Sequence, residues 1–326
     1  MKGALEETTV LRGAFGTVRT AFDEPMTAAE MTKRPWVRRA SYLVLFVAVV
    51  FIGDRLISFG AMKLVQQSKN QFVRMYEGKY PANFLFLGNS RVDRNFNFEK
   101  IREVTGKSCL NLGLGGNHTL IAEVLLKDFV ERYGNPELVV VELSHSTANP
   151  YTMGEMGIFS YCSTNMQALG KIIDPTYAGF ESIFHSLRFN NQAFWRLSSE
   201  VFSEPPTRLL NNTIPAEIIN QWQHGEHVEM PIYQKNLEAL TRICQYADAR
   251  QIRLRLVIGP YWKEFRKGWS NYDAWKAALQ KAAGKHEILD YSEVFFDHAE
   301  YFNDEMHLNA TGAACFTRKL VEEKVL

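Results

Sequence analysis

Two short stretches near opposite ends of the chain contain the residue types of a nucleophilic catalytic site. Residues 83–90 (NFLFLGNS) form an apolar run that ends at Ser90, and residues 303–312 (NDEMHLNATG) place Asp304 and His307 three positions apart. A serine hydroxyl needs a base to take its proton, and an imidazole base needs a carboxylate that fixes its tautomer. The sequence therefore predicts Ser90 as nucleophile, His307 as general base and Asp304 as the carboxylate that orients it.

A glycine-rich stretch between these two segments supplies a candidate donor for an oxyanion. It reads NLGLGGNHT over residues 111–119 and includes Gly116. A glycine at this position lets the backbone approach a ligand closely. The main-chain N–H groups of Ser90 and Gly116 are therefore predicted to stabilise the negative charge that develops when the serine attacks a carbonyl.

The elements that must position these residues follow from the hydrophobic pattern. From residue 83 onward, short runs rich in Val, Leu and Ile alternate with helical patterns, which is typical of a parallel sheet covered on both faces. The predicted strands are residues 84–87, 108–112, 138–143, 252–258 and 287–291. The predicted helices are residues 120–133, 233–249, 272–283 and 310–323, the last with Asn309 as N-cap. The prediction is a doubly wound α/β domain, a flavodoxin-like three-layer sandwich with a mainly parallel sheet.

The alternation is interrupted by an insertion between residues 150 and 230. This segment is rich in Phe, Tyr, Met, Trp and Asn and has no clear strand. An insertion after the carboxyl end of a strand lies where such sheets place their sites. Two interpretations stay open: a helical subdomain that only adds stability, or a lid or acceptor platform with exposed aromatic side chains.

One strongly apolar run precedes the predicted domain. Residues 40–53 (ASYLVLFVAVVFIG) lead into Asp54 and Arg55. Extending the helix to about residue 62 gives the roughly 20 residues that cross a bilayer. Basic residues directly before the run favour a cytoplasmic N-terminus. The predicted order is a cytoplasmic tail (1–39), a transmembrane anchor (40–62), a stalk (63–82) and an extracytoplasmic domain (83–326).

Asp54 has two interpretations. It is either an interfacial residue at a helix end or a group that faces a partner membrane protein, since ionisable residues at membrane depth are often functional. Arg55 can extend its side chain to the interface.

The bulk composition and the remaining polar clusters argue against other classes of function. A formal net charge of +1 and a pI near 7.7 give no indication of nucleic-acid binding. His224, His227 and Glu229 are close in sequence but lie on a loop and a helix start, whereas zinc needs three or four converging ligands. The four cysteines form no CxxC pair, and they are either free thiols or one or two disulfides. We expect no metal and no cofactor.

The chain resembles the SGNH (GDSL-like) hydrolase superfamily, and within it the membrane-anchored members linked to O-acylation of cell-envelope polysaccharides. Where the family has Gly-Asp-Ser after its first strand, this chain has Gly88, Asn89 and Ser90. The family's last block, Asp-x-x-His before a helix, appears as DEMH with Asp304 and His307. The resemblance runs from about residue 83 to the C-terminus and leaves the insertion unexplained.

The two middle blocks of the family match less completely. Asn111 stands at the strand end of the second block, followed by Gly116 and then by Asn117 in place of the usual Asp. Where relatives carry Gly-Gly-Asn-Asp after the third strand, this chain has VELSHST. The asparagine that donates to the oxyanion is therefore replaced, most directly by Ser146, with Asn117 as a further candidate donor.

Four residues near the predicted site are candidates for a substrate pocket. Arg91 could neutralise an anionic substrate, pair with a carboxylate of a lid, or be a charge on a helix surface. His145 follows the third predicted strand and is either a pocket residue or a structural hydrogen-bonding group. Tyr261 and Trp262 follow the fourth predicted strand, where aromatic side chains suit sugar stacking, although core packing explains them equally well.

The resemblance implies an esterase or acyltransferase that transfers an acyl group, expected to be acetyl, through an acyl-serine to an extracytoplasmic glycan. It also implies attachment to a bacterial inner membrane, with the catalytic domain in the periplasm. In such relatives a membrane-bound O-acyltransferase often supplies the acyl group, and the transmembrane helix with Asp54 would meet this partner. Two alternatives stay open: a stand-alone carbohydrate or lipid esterase, and a non-catalytic glycan-binding or assembly protein on a degenerate domain of this family.

Overall fold

The computed structural model describes residues 35–144, 153–203 and 209–326. These residues form an α/β fold. The strands are β1 (Phe84–Gly88), β2 (Cys109–Gly113), β3 (Leu138–Glu142), β4 (Arg253–Ile258) and β5 (Ile288–Asp290). The helices are α1 (Pro35–Val65), α2 (Gln71–Tyr76), α3 (Ser90–Asn95), α4 (Phe98–Thr105), α5 (Thr119–Tyr133), α6 (Thr164–Ile173), α7 (Pro175–Ile183), α8 (Gln192–Ser199), α9 (Ala216–Gln223), α10 (Gln234–Arg250), α11 (Lys263–Gly268), α12 (Tyr272–Ala283) and α13 (Ala310–Glu322).

The five strands form one parallel sheet with the order β2-β1-β3-β4-β5. Every residue of β3 is buried, as are the first four of β1, which explains their uninterrupted Leu, Val and Phe runs. The strand order reverses between β1 and β3. In such sheets the crevice at the carboxyl ends of these two strands is where ligands bind.

The predicted fold class is confirmed, and each predicted strand overlaps an observed one. Two groups of helices pack together: α5, α10 and α12 form one group, and α3, α4 and α13 form another. The last helix begins as predicted, because the side chain of Asn309 accepts a hydrogen bond from the N–H of Gly312. The observed helix ends at Glu322.

The chain divides into two units between Gly53 and Asp54. Within the described residues, α1 is the helix long and apolar enough to cross a membrane. It begins at Pro35, five residues before the predicted start, and residues 1–34 lie outside the described part of the chain. The part of this helix that belongs to the second unit has one buried face, formed by Asp54, Ser58 and Val65.

The segment predicted as a stalk is part of the core. Helix α2 lies within it, and its Phe72, Val73 and Met75 are fully buried in the main hydrophobic cluster. The helix has only six residues, and polar residues surround its buried positions in the sequence, so its apolar face is not apparent from the sequence pattern. A pattern this short does not distinguish a stalk from a packed helix.

The described part of the insertion is helical, with α6 to α9 and two 3₁₀ turns, Gly154–Tyr161 and His185–Phe189. Its Met156, Ile158 and Phe159 are buried in the same core cluster as the sheet residues, so this part of the insertion packs on the domain. All four cysteines are free thiols.

Candidate active site

Ser90 lies at the carboxyl end of β1, in the turn between this strand and α3. The strand ends at Gly88, whose φ of 152° is in the region that favours glycine. Asn89 then caps α3 by accepting a hydrogen bond from the N–H of Arg91 at 2.9 Å. Ser90 is therefore the first residue of α3 and is held at the sheet edge where the strand order reverses.

His307 is presented by a short loop before α13. The loop is closed by an antiparallel bridge between Phe302 and Leu308, and the N–H of Asn303 donates to the carbonyl of His307 at 2.9 Å. The N–H of Leu308 donates to Oδ1 of Asn95, at the end of α3, also at 2.9 Å. The loop is thus fixed directly to the helix that begins at Ser90.

The predicted three residues are brought together in one chain of hydrogen bonds. Nε2 of His307 lies 2.8 Å from Oγ of Ser90, and Nδ1 lies 2.8 Å from Oδ1 of Asp304. An ionised carboxylate only accepts hydrogen bonds, so Nδ1 carries the proton that is donated to Asp304. Nε2 is then free to accept the proton of the Ser90 hydroxyl, which is the arrangement required of a general base.

Asp304 is held in its charged form. Burial alone would raise its pKa, but hydrogen bonds from the ring of His307 and from the N–H groups of Met306 and His307 outweigh burial, so the pKa lies below its ordinary value. The guanidinium of Arg94, 3.8 Å away and partly exposed, adds a weak attraction.

A buried ion pair involves the residue that directly follows the serine. Arg91 and Glu142 are essentially inaccessible, and Nε of Arg91 donates to Oε1 of Glu142 at 2.8 Å. The guanidinium also stacks on the ring of Tyr261, 3.8 Å from its centroid, and donates to the carbonyl of Met306. Arg91 is therefore not a surface charge, because it joins β3 to the loop of His307. Its Nη2 has no hydrogen-bond partner among the described residues.

The glycine-rich loop lies against the serine. Residues Leu114 to Asn117 form a turn closed by the N–H of Asn117 donating to the carbonyl of Leu114 at 3.0 Å, with Gly116 at φ 80°. A Cβ atom on Gly115 would lie 3.9 Å from the Cβ of Ser90.

Asn117 carries a buried donor at this position. Its Nδ2 has no hydrogen-bond partner among the described residues. The residue lines a small cavity of about 50 Å³, together with Gly88, Asn89 and Glu142, between the ends of β1 and β3. A buried amide donor without a partner is costly, so Asn117 stays a candidate donor to a ligand in this cavity. Ser90, Asp304 and His307 do not line the cavity.

The other predicted pocket residues are placed differently. Tyr261 is fully buried and Trp262 is 4% exposed, so both are core residues rather than a surface for sugar stacking. Tyr261 packs edge-on against Trp269 and stacks on Phe265. His145 and Ser146 lie outside the described residues.

Sequence reasoning missed two residues that fix this geometry, Glu142 and Asn95. A charged residue that directly continues the apolar run of β3 was the available signal for Glu142, because a charge in that position must be paired. Asn95 gave no signal, since its role depends on a loop more than 200 residues away.

Comparisons with known proteins do not show the family of this chain. No family model and no curated protein matches the chain. A solved structure described as a "putative platelet activating factor from Streptococcus pneumonia" is 16% identical to this chain, with 87% of this chain and 98% of that chain covered. The TM-score is 0.35, so this similarity carries no argument about function.

Proposed function

We propose that the chain is a membrane-anchored serine esterase or acyltransferase that acts on an extracytoplasmic glycan through an acyl-serine intermediate. The observation that supports this most is the hydrogen-bonded series Ser90, His307 and Asp304, with both links at 2.8 Å. Such a series makes an unreactive hydroxyl nucleophilic at neutral pH.

In the first step, Oγ of Ser90 attacks the carbonyl carbon of an acyl ester while Nε2 of His307 takes the hydroxyl proton. The tetrahedral intermediate collapses, and the leaving alkoxide takes that proton from His307. Asp304 holds the ring and stabilises the imidazolium between the two transfers. The product of this half-reaction is an acyl-serine and a free alcohol.

In the second step, His307 takes the proton of an incoming hydroxyl, which attacks the acyl-serine. The proton then returns to Oγ as the serine leaves. A sugar hydroxyl as acceptor makes the reaction a transfer, and water makes it a hydrolysis. Donors for both oxyanions are the N–H groups of Ser90 and Gly116 and the side chain of Asn117, whose Nδ2 has no partner among the described residues.

The cellular setting is part of the same proposal. Helix α1 is long and apolar enough to cross a membrane, and it is the support for an anchor. The glycan acceptor, the periplasmic location and acyl supply by a membrane-bound O-acyltransferase rest on the family resemblance of the sequence motifs. The carboxylate of Asp54 accepts a hydrogen bond from Ser186 of its own chain. Contact with a membrane-bound O-acyltransferase would therefore use other residues of α1.

The test is intact-mass analysis of the full chain in detergent after exposure to an activated acetyl ester, with and without mixed oligosaccharides. Ser90→Ala is the test variant, and Ser270→Ala, an exposed serine, is the matched control. We expect an adduct of one acetyl group in the wild type and in the control, absent from Ser90→Ala, and discharged faster by sugar than by water.

The other results discriminate between the alternatives. Ester turnover that depends on Ser90 without a stable adduct would identify an esterase with fast deacylation. An adduct that persists in Ser90→Ala would rule out this nucleophile. Neither adduct nor turnover in any sample would contradict a free-standing enzyme, and retained glycan binding in Ser90→Ala would then indicate a non-catalytic protein.

A further inference from the structure

Asp54, the ionisable residue that directly follows the apolar run of α1, is buried against the insertion of its own chain. It is 7% exposed. Its Oδ1 accepts hydrogen bonds from the hydroxyl of Ser186 at 2.6 Å and from the N–H of Ser186 at 3.0 Å. Its Oδ2 accepts a hydrogen bond from the N–H of His185 at 2.9 Å. These bonds fix the 3₁₀ turn after α7 to the helix.

The depth of Asp54 follows from the length of the helix. About 20 residues cross the hydrocarbon core of a bilayer, and the predicted anchor of residues 40–62 has about this length. With a rise of 1.5 Å per residue, Asp54 would then lie roughly 12 Å inside the outer boundary. A carboxylate at this depth needs partners from protein. The insertion supplies three hydrogen bonds, and the guanidinium of Arg55 forms an ion pair with the same carboxylate.

A second attachment fixes the insertion just beyond the end of α1. Nδ2 of Asn70 donates to Oε2 of Glu200 at 2.7 Å, and the N–H of Lys69 donates to the carbonyl of Glu200 at 3.3 Å. Asn70 and Glu200 are both buried. The insertion is therefore attached beside residues 54–70 at two points, one at each end.

The surface of this attached segment is unusually apolar. Ten large hydrophobic residues outside α1 are exposed in the described part of the chain, and seven of them lie between residues 172 and 202. The seven are Ile172, Tyr177, Phe180, Ile183, Phe184, Trp195 and Phe202. The exposed apolar residues outside α1 are thus concentrated in one segment of the described chain, and exposed apolar surface of this kind is typical of interaction sites.

Their positions match the two attachment points. Phe180 and Ile183 are each more than half exposed, and the carbonyl of Ile183 accepts a hydrogen bond from Arg55 at 3.0 Å. Trp195 and Phe202 flank Glu200 near the end of α1. Phe180 and Ile183 thus belong to the part of the insertion that is attached at Asp54, whereas Trp195 precedes by five residues the Glu200 attachment beyond the end of α1. A tryptophan on that side agrees with the aromatic belts of membrane interfaces.

The charge distribution of α7 agrees with this placement. Between residues 175 and 184 (PTYAGFESIF), Glu181 is the only side chain that is charged at neutral pH. It turns inward, where it accepts hydrogen bonds from Ser160 and from Nε of Arg188. No charged side chain of α7 is therefore left on its outer surface.

We propose that the insertion, from Ile172 to Phe202, lies in the outer leaflet of the bilayer that α1 crosses, with Phe180, Ile183 and Phe184 in contact with lipid. Asp54 is the internal acceptor that holds α7 at this depth. The occupant of the apolar surface is lipid rather than a protein partner, because the surface is attached to the membrane-spanning helix itself. This inference rests on the proposed anchoring by α1 and is independent of catalysis.

The test uses the full chain in phosphatidylcholine–phosphatidylglycerol nanodiscs, with a polarity-sensitive fluorophore on Ile183→Cys. The matched control is Val104→Cys, an exposed apolar residue on α4 with 49% exposure against 53% for Ile183. Labelling of the unsubstituted chain gives the background from native thiols. We expect nitroxide groups on lipid acyl chains to quench the probe at 183 several-fold more than the probe at 104. Phe180→Cys repeats the measurement.

Each other outcome contradicts a defined part of the inference. Equal quenching at 183 and 104 would overturn contact with lipid, including the case in which a missing protein partner normally covers the surface. Strong quenching at 183 that is unchanged in Asp54→Leu would overturn the role of Asp54. Failure of the unsubstituted chain to float with vesicles would overturn the anchor itself, which separates that failure from the other two.

Discussion

The guanidinium of Arg91 donates a hydrogen bond to the main-chain carbonyl of Met306. Arg91 directly follows Ser90 and Met306 directly precedes His307, so this bond links the serine turn to the histidine loop. The same guanidinium is paired with Glu142 at the end of β3. One buried cation thus fixes the relative positions of the serine turn, the sheet and the histidine loop. The geometry of the candidate site therefore depends on a group that does not touch the reacting atoms.

Replacement of Arg91 by Ala is expected to lower the free energy of unfolding by about 3–5 kcal/mol, because it leaves the carboxylate of Glu142 buried without its partner. Arg94→Ala, a partly exposed arginine on the same helix, should cost at most about 1 kcal/mol. Urea denaturation of both variants in detergent measures the difference. Similar losses in the two variants would contradict the importance of the buried pair.

Asn117→Ala is expected to reduce kcat by about 10²–10³-fold through loss of one oxyanion donor. Its stability should change little, because the lost Nδ2 group has no partner among the described residues. Asn135→Ala, which removes an exposed amide that donates to the carbonyl of Arg250, is the control and should leave kcat unchanged. A large loss of stability with normal kcat would show that Asn117 is structural.

Asp304→Asn is expected to reduce kcat by about 10⁴-fold, since an amide no longer fixes the tautomer of His307. The pKa of Asp304 is lowered in the folded state, so its contribution to stability is present above the unfolded value near 3.8 and is lost as pH falls below it. The stability difference between wild type and Asp304→Asn should therefore shrink when denaturation at pH 7 is compared with denaturation at pH 3. A difference that grows toward pH 3 would contradict this sign.

Gly113→Ala is expected to destabilise the turn of Ser90 by about 1–3 kcal/mol through overpacking. The added Cβ would lie 2.6 Å from Cβ of Val92 and 2.8 Å from the carbonyl oxygen of Asn89. Gly170→Ala, in α6 with no atom within 4 Å of its added Cβ, should be neutral or stabilising. Thermal unfolding gives the melting temperatures of the two variants. Equal changes in melting temperature would mean that the clash predicted for Gly113→Ala is relieved without a loss of stability.

The sequence predicted the sheet well, because a strand buried on both faces leaves an unmistakable short run of apolar residues, as in β3. It also predicted which three residues could form the hydrogen-bonded series, since each had a distinctive local motif. It could not predict that Arg91 and Tyr261 lie in the interior, because a charge or an aromatic ring beside a site is buried or exposed according to tertiary partners such as Glu142. Helix α2 was missed for a related reason: six residues are too few for a periodic signal.

The hydrogen bond between Ser90 and His307 joins residues 217 positions apart. Closing so long a loop is entropically unfavourable, and the partners that compensate for it, β3, β4 and β5, are added to the sheet in chain order. A chain emerging N-terminus first therefore presents the hydroxyl long before its base and its carboxylate exist. Under the proposed function, a chain still in synthesis, or one clipped before residue 304, would carry the nucleophile without its base and carboxylate and would therefore be inert toward esters.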